Sequence, residues 1–251
     1  MPRVSPANSP LLVPTSRVPH ATAEEQPADW AWTNPLSGAG LMTEAPVAAP
    51  ATFAPLGYEP GYRYPLVVWL HGEDSCEEDL PTVMRHVSVR NYVAVAPVGR
   101  CCDDDSTCWE QTLDGIDQAE LAVAEAIESA ADTFNLHEER VFIAGSGAGG
   151  SMALRLGLRR PEWFAGAASL NGPLPREHRL LSRVNEARRL PLLLQSGRDS
   201  EGYPESTVCD DLSLLHSAGC QVSIRQYPGA DELTTVMLAD LDRWAMGIVC
   251  G

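Results

Sequence analysis

The sequence predicts an α/β domain built on a doubly wound, mostly parallel sheet, and three observations carry that expectation. From Ala51 onward short apolar runs alternate with amphipathic stretches, the pattern of strands joined by crossover helices. One run, Pro65-Leu66-Val67-Val68-Trp69-Leu70, is apolar throughout, as a strand covered on both faces must be. A third run, Val141 to Ala144, breaks into Gly145-Ser146-Gly147-Ala148-Gly149-Gly150 and resumes as a helix through Met152, Ala153, Leu156 and Leu158. A strand there turns sharply into a helix.

The elements follow in order. Residues 1–45 are rich in Pro, Ala and Ser without helical or strand periodicity, which predicts an extended, partly disordered arm. Its Trp30-Ala31-Trp32 pair is read as an apolar anchor onto the domain that occupies 46–251. Ala51 to Ala54 reads as a first strand and Glu59-Pro60-Gly61 as a turn. Leu80 to Val87 reads as a short helix and Tyr92 to Pro97 as a strand. Ile116, Val123, Ile127, Ala130 and Phe134 form one apolar stripe at helical spacing. That helix connects to the next strand through Asn135 to Arg140, placing His137 in a connection remote from the turn. Gly166 to Leu170, Pro191 to Gln195 and Val222 to Tyr227 read as further strands. Helices around Val208 to Ala218 and Leu233 to Ile248 follow the last two.

Composition bounds the partners. A formal net charge of −16 opposes nucleic acid and anionic membrane surfaces. No run of apolar residues is long enough for a membrane span, and Met1 to Pro6 lacks the apolar core of a secretion signal. Seven cysteines, an odd count, fit a reducing cytoplasm better than a disulfide framework. Cys101, Cys102 and Cys108 share a loop with Asp103, Asp104 and Asp105. The spacing lacks the paired cysteines of a zinc site, so the loop reads as a polar surface with incidental thiols. No metal and no cofactor are expected.

The sharp turn carries the chemistry. Strand, tight turn and helix are the setting of the nucleophile elbow, G-x-S-x-G. Gly145, Gly147 and Gly149 hold the three framing positions, so the position of the serine is occupied by Gly147. Moving the frame back by one residue offers Ser146 as a fallback nucleophile, on a strand that ends one residue early. Ser151 falls inside the helix and reads as packing.

Several stretches together resemble α/β hydrolases of the phospholipase/carboxylesterase and dienelactone-hydrolase type. They are Leu70-His71-Gly72, Asn135-Leu136-His137 with Arg140 to Gly145, Gly197-Arg198-Asp199, and Tyr227-Pro228-Gly229. The resemblance covers about four fifths of the chain and implies an α/β-hydrolase fold. It also implies a serine at the elbow, an acid after a later strand and a histidine after the last. Those slots fall on Gly147, on Asp199 or Ser200, and on Asp231 or Glu232. His178 and His216 lie elsewhere in the order. Backbone N–H groups of Glu73 and Ala148 would form the oxyanion hole. His71, Gly72, Asp74, Gly145, Gly149 and Glu201 would surround the pocket.

A hydroxyl without a base stays protonated and is a poor nucleophile. The resemblance therefore implies a pseudoenzyme with a degenerate triad, acting in binding or assembly on a small-molecule ligand at the carboxyl edge of the sheet. The alternative is an active carboxylic-ester hydrolase using Ser146, with His71 as an unrecognised base, or a metal-assisted site in the acidic loops. Glu73, Asp74, Asp199, Glu201, Asp231 and Glu232 all follow strands, where an open α/β sheet binds ligands. They would make an acidic pocket for a cation or an amine, unless they are solvated or cap helices. The sequence sets no oligomeric state.

Overall fold

The computed structural model describes residues 49–73, 75–103 and 106–251. The N-terminal arm, its tryptophan pair, Asp74, Asp104 and Asp105 lie outside the described residues.

The chain runs β1 (Ala51–Phe53), β2 (Tyr64–Leu70), α1 (Leu80–Val87), β3 (Val93–Ala96), β4 (Arg100–Asp103), β5 (Ser106–Cys108) and α2 (Leu113–Thr133). It continues β6 (Leu136–Ser146), α3 (Ala148–Arg159), β7 (Gly166–Leu170), α4 (Val184–Ala187), β8 (Leu192–Gly197), α5 (Glu205–Ala218), β9 (Val222–Tyr227) and α6 (Thr235–Cys250). Seven strands form one sheet in the order β1-β3-β2-β6-β7-β8-β9. Only β1 pairs antiparallel; the other neighbours in this sheet are parallel, as the sequence predicts.

Alternation along β2 divides the core. Leu66, Val68 and Leu70 face the layer holding Val123 and Ile127 of α2 and Leu154 of α3. Val67 and Trp69 face the opposite layer, with Met84 of α1 and Leu241 and Trp244 of α6. Each such side chain, removed from water, contributes about 1.5–3 kcal/mol. Thr112 and Thr234 cap α2 and α6, their hydroxyls accepting from the Gly115 and Met237 amides, which fixes where these helices begin.

Two stretches differ from expectation. Residues 136–140 are not a connection but the start of β6. Tyr64 pairs with Leu136 while Leu66 pairs with Val141. The intervening polar residues are accommodated by a register shift, a bulge that apolar periodicity does not reveal. The 100–108 segment is a hairpin, with Arg100 opposite Cys108 and Asp103 opposite Ser106. Cys108 is disulfide-bonded, so its thiol is not incidental. Among the described residues, no helix is long and apolar enough to cross a membrane.

Candidate functional site

The carboxyl ends of five adjacent strands, β2, β6, β7, β8 and β9, gather the residues singled out by sequence. At the centre β6 ends on Ser146 and α3 starts at Ala148, leaving Gly147 between them at φ 51°, ψ −122°. Few L-residues hold such a conformation without cost. Here both sides of the peptide are fixed: the Gly147 amide donates to the Leu170 carbonyl at 2.8 Å, and its carbonyl accepts from the Ser151 amide at 3.0 Å. The latter bond opens the α3 ladder, so the Ala148 amide belongs to the unpaired first turn.

Gly149 explains why this turn is so tight. A Cβ there would stand 2.2 Å from the His71 carbonyl oxygen and 2.3 Å from that of Leu70. The first turn of α3 therefore lies backbone against backbone on the end of β2. A Cβ on Gly145 would likewise meet the Gly149 backbone at 2.6 Å. Gly147 is the opposite case, because a Cβ there meets nothing within 4 Å. The tip of the elbow is Gly147, and it faces open space. Ser146 precedes the tip as the last residue of the strand, its Oγ 2.9 Å from where a Gly72 Cβ would stand.

His71 is fully buried, with Nδ1 2.9 Å from the Gly72 carbonyl oxygen, and its ring centroid is 5.2 Å from that of Trp109. A carbonyl only accepts, so Nδ1 carries the hydrogen in that bond. The Trp109 indole N–H donates to the His71 carbonyl at 3.0 Å. The Gly72 amide donates to Ser75 Oγ at 2.9 Å, while Glu73 is exposed.

On the β8 and β9 side the two candidate acid residues part company. Asp199 is exposed and its amide donates to the Gly229 carbonyl at 2.9 Å. Ser200 is buried; its hydroxyl donates to the Asp231 carboxylate and accepts from the Tyr203 amide. Asp231 also accepts from the amides of Glu201, at 3.1 Å, and Gly202, at 3.4 Å. The Ser200 hydroxyl, above all, holds the Asp231 carboxyl below its ordinary value, against a smaller opposing effect of burial. Asn171, at a left-handed φ of 60°, donates from Nδ2 to the carbonyls of Asp231 and Glu232. Its Oδ1 accepts from the Gly197 amide, so it ties the ends of β7, β8 and β9 together.

These elements enclose a cleft of about 730 Å³. Ser146, Gly147, Ala148, Gly72, Glu73, Asp231 and Glu232 line it. His71, Gly145, Gly149, Asp199, Ser200 and Glu201 do not; the first three are packed beneath the elbow, and Ser200 supports Asp231 from behind. Of the five expected acids among the described residues, the structure brings three, Glu73, Asp231 and Glu232, to the cleft. Among the described residues, no group of three or more His, Cys, Asp or Glu is placed to hold a metal ion.

Sequence reasoning passed over Ser75, Trp109, Gln111 and Asn171, all of which line the cleft. Asn171 had a visible signature, standing first in the Asn-Gly-Pro turn after a strand. Trp109 and Gln111 lie beyond a hairpin whose path periodicity cannot trace. Gln111 Oε1 accepts from Arg155 Nε at 2.5 Å, while its Nε2 is buried with no hydrogen-bond partner.

Known proteins share this fold. The carboxylesterase of Mesorhizobium loti superposes with a TM-score of 0.61 at 23% identity, over 73% of this chain and 88% of its own. The Bacillus cereus carboxylesterase gives 0.65 at 16%, over 80% of this chain and 95% of its own. SOBER1 of Arabidopsis thaliana gives 0.61 at 21%, over 75% of this chain and 100% of its own. At such identities the likeness establishes the fold. A curated relative, "Putative esterase NocK" of Nocardia uniformis subsp. tsuyamanensis, is 29% identical over 118 residues, 44% of this chain. The chain spans about a third of that relative's length, 33%. The family model Esterase, described as "Putative esterase", matches residues 49–209. The chain belongs to the Esterase family and has the fold of the carboxylesterase-type α/β hydrolases.

Proposed function

We propose that this protein is a pseudoenzyme of the esterase family, a binding protein that uses the cleft at the carboxyl edge of the sheet for a small-molecule ligand. The observation that carries the reading is Gly147 at φ 51° with open space where a side chain would project. The backbone that presents a nucleophile is retained, while the hydroxyl is missing. The acid–base side supports the same reading. Ser200 and Asp231 bond to each other, and a carboxylate held below its ordinary range is a weak base at neutral pH. No histidine follows β9 in the sequence.

Backbone donors alone give little turnover. An acyl-transfer site stripped of its triad retains about 10³–10⁴-fold over water. The lining suits binding better, with a buried Gln111 Nε2 in need of an acceptor and the acids Glu73, Asp231 and Glu232 at the walls. A ligand carrying both a hydrogen-bond acceptor and an amine matches that set.

The test is turnover of p-nitrophenyl acetate and butyrate by the wild type, Ser146→Ala and Gly147→Ser. The proposal expects the buffer rate from wild type and Ser146→Ala alike. Wild-type turnover that disappears in Ser146→Ala would establish instead the esterase with a displaced nucleophile. Wild-type turnover that disappears with chelator would establish a metal-assisted site.

A further inference from the structure

Away from the elbow, the start of α2, the middle of α3 and the 178–182 loop enclose a second cleft of about 240 Å³. Its distinguishing residue is Arg155, which is only 3% exposed. Two of its three nitrogens are satisfied by neutral oxygens. Nε donates to the Gln111 amide oxygen, and Nη1 donates to the Glu177 carbonyl at 2.9 Å. Nη2 is buried and has no hydrogen-bond partner. Burial lowers the Arg155 pKa, with the Glu177 charge opposing that effect. A buried guanidinium with an unmade bond is a costly arrangement unless something completes it.

The remaining lining shows what could complete it. His178 and Arg179 also line this cleft, on two consecutive left-handed residues at φ 59° and 52°. Leu113 and Ile116 supply an apolar wall. Arg159 lines the cleft as well, but its charge is met by Asp117 and Glu120. Glu177 lies 3.6 Å from His178 Nε2. In a chain of net charge −16, this convergence of bases on one small cleft runs against the overall field.

We propose that this second cleft is an oxyanion site, in which Arg155 Nη2 and Arg179 bind the phosphate or carboxylate group of a small molecule. A guanidinium suits such a group because its N–H donors are fixed in a plane that matches two oxygens of one anion. The cleft has room for that group and a small apolar remainder against Leu113 and Ile116. The proposal is independent of whether the elbow catalyses.

Isothermal titration of the full chain with inorganic phosphate, and separately with acetate, tests it at ionic strength held constant with sodium chloride. Phosphate is expected to give a saturable single-site isotherm in the wild type. Arg179→Ala should weaken it about tenfold, the loss of one charge-assisted bond, and Arg155→Met should abolish it. Arg155 also anchors the loop through Glu177, so circular dichroism must accompany that variant; should it unfold, exposed Arg179 decides the matter. Saturable binding of acetate as well would identify the ligand group by its oxygens, and phosphate alone by its charge. No saturable heat with either anion, or an isotherm unchanged in Arg179→Ala, overturns the proposal.

Discussion

The two halves of the carboxyl edge are held together in different ways. On the elbow side the backbone geometry is intact: Gly147 keeps its left-handed conformation, and Gly149 lies against the end of β2 with no room for a Cβ. Its tip, Gly147, faces open space. On the β8 and β9 side the side chains have a bonding pattern of their own, in which Ser200, Tyr203, Asp231 and two amides form one local network. Close backbone packing constrains the elbow whether or not it reacts, because it holds α3 on the sheet. The acid–base loops share that constraint only at their root, where a Cβ on Gly197 would stand 1.8 Å from the Ala230 carbonyl oxygen; beyond it, hydrogen bonds set the conformation of Ser200 and Asp231. The frame is held by packing, and the chemistry by a few exchangeable side chains.

Substitutions can break that contrast. Gly149→Ala should have the largest effect, about 3 kcal/mol or more, because the added methyl meets two main-chain carbonyls that cannot move aside. Urea denaturation followed by circular dichroism would register it; a loss below about 1 kcal/mol would mean the elbow is looser than described. Asn171→Ala removes bonds to three backbone groups, one at the end of β8 and two in the loop after β9, and leaves them unmatched. It should cost about 2 kcal/mol and lower the melting temperature correspondingly. Gly147→Ser meets no steric obstacle, so it should cost only the left-handed conformation, about 1–2 kcal/mol. It should remain inactive, since no imidazole follows β9.

The smallest effect concerns pH. The folded Asp231 carboxyl lies below its ordinary value of 3.8, chiefly through the Ser200 hydroxyl. Its stabilisation is therefore present above that value and is lost as pH falls through the lower folded pKa. Because Asp231 is exposed, solvent screens the effect. Thermal melts of wild type and Asp231→Asn should differ slightly at neutral pH and converge in acid. A gap that widens on acidification would contradict the bonding described for β8 and β9.

Much of this architecture was legible in the residues. Continuous apolar runs marked β2 and β3, and the glycine frame located the turn from β6 into α3, because those features follow from burial and close packing. The apolar stripe from Ile116 to Phe134 anticipated α2. The start of β6 was not legible: His137 to Arg140 are polar and occupy a bulge beside Tyr64, where periodicity fails. Nor was the hairpin at 100–108, whose polar strands lack an apolar face. For the site, chain order points to Gly147, to Asp199 or Ser200, and to Asp231 or Glu232. Which neighbour turns inward depends on side-chain contacts such as the bond between Ser200 and Asp231, which chain order does not report. The orphaned Gln111 and Arg155 nitrogens arise from contacts between distant elements, which no local pattern reports.

The central claim, that the elbow lacks a nucleophile, meets its most direct test in covalent labelling. The wild-type protein would be treated with a fluorophosphonate probe beside an active serine esterase as control, and intact mass measured. The wild-type chain should stay unmodified while the control gains the full adduct. A stoichiometric adduct mapped to Ser146 would contradict it and place the reacting hydroxyl one residue before the tip.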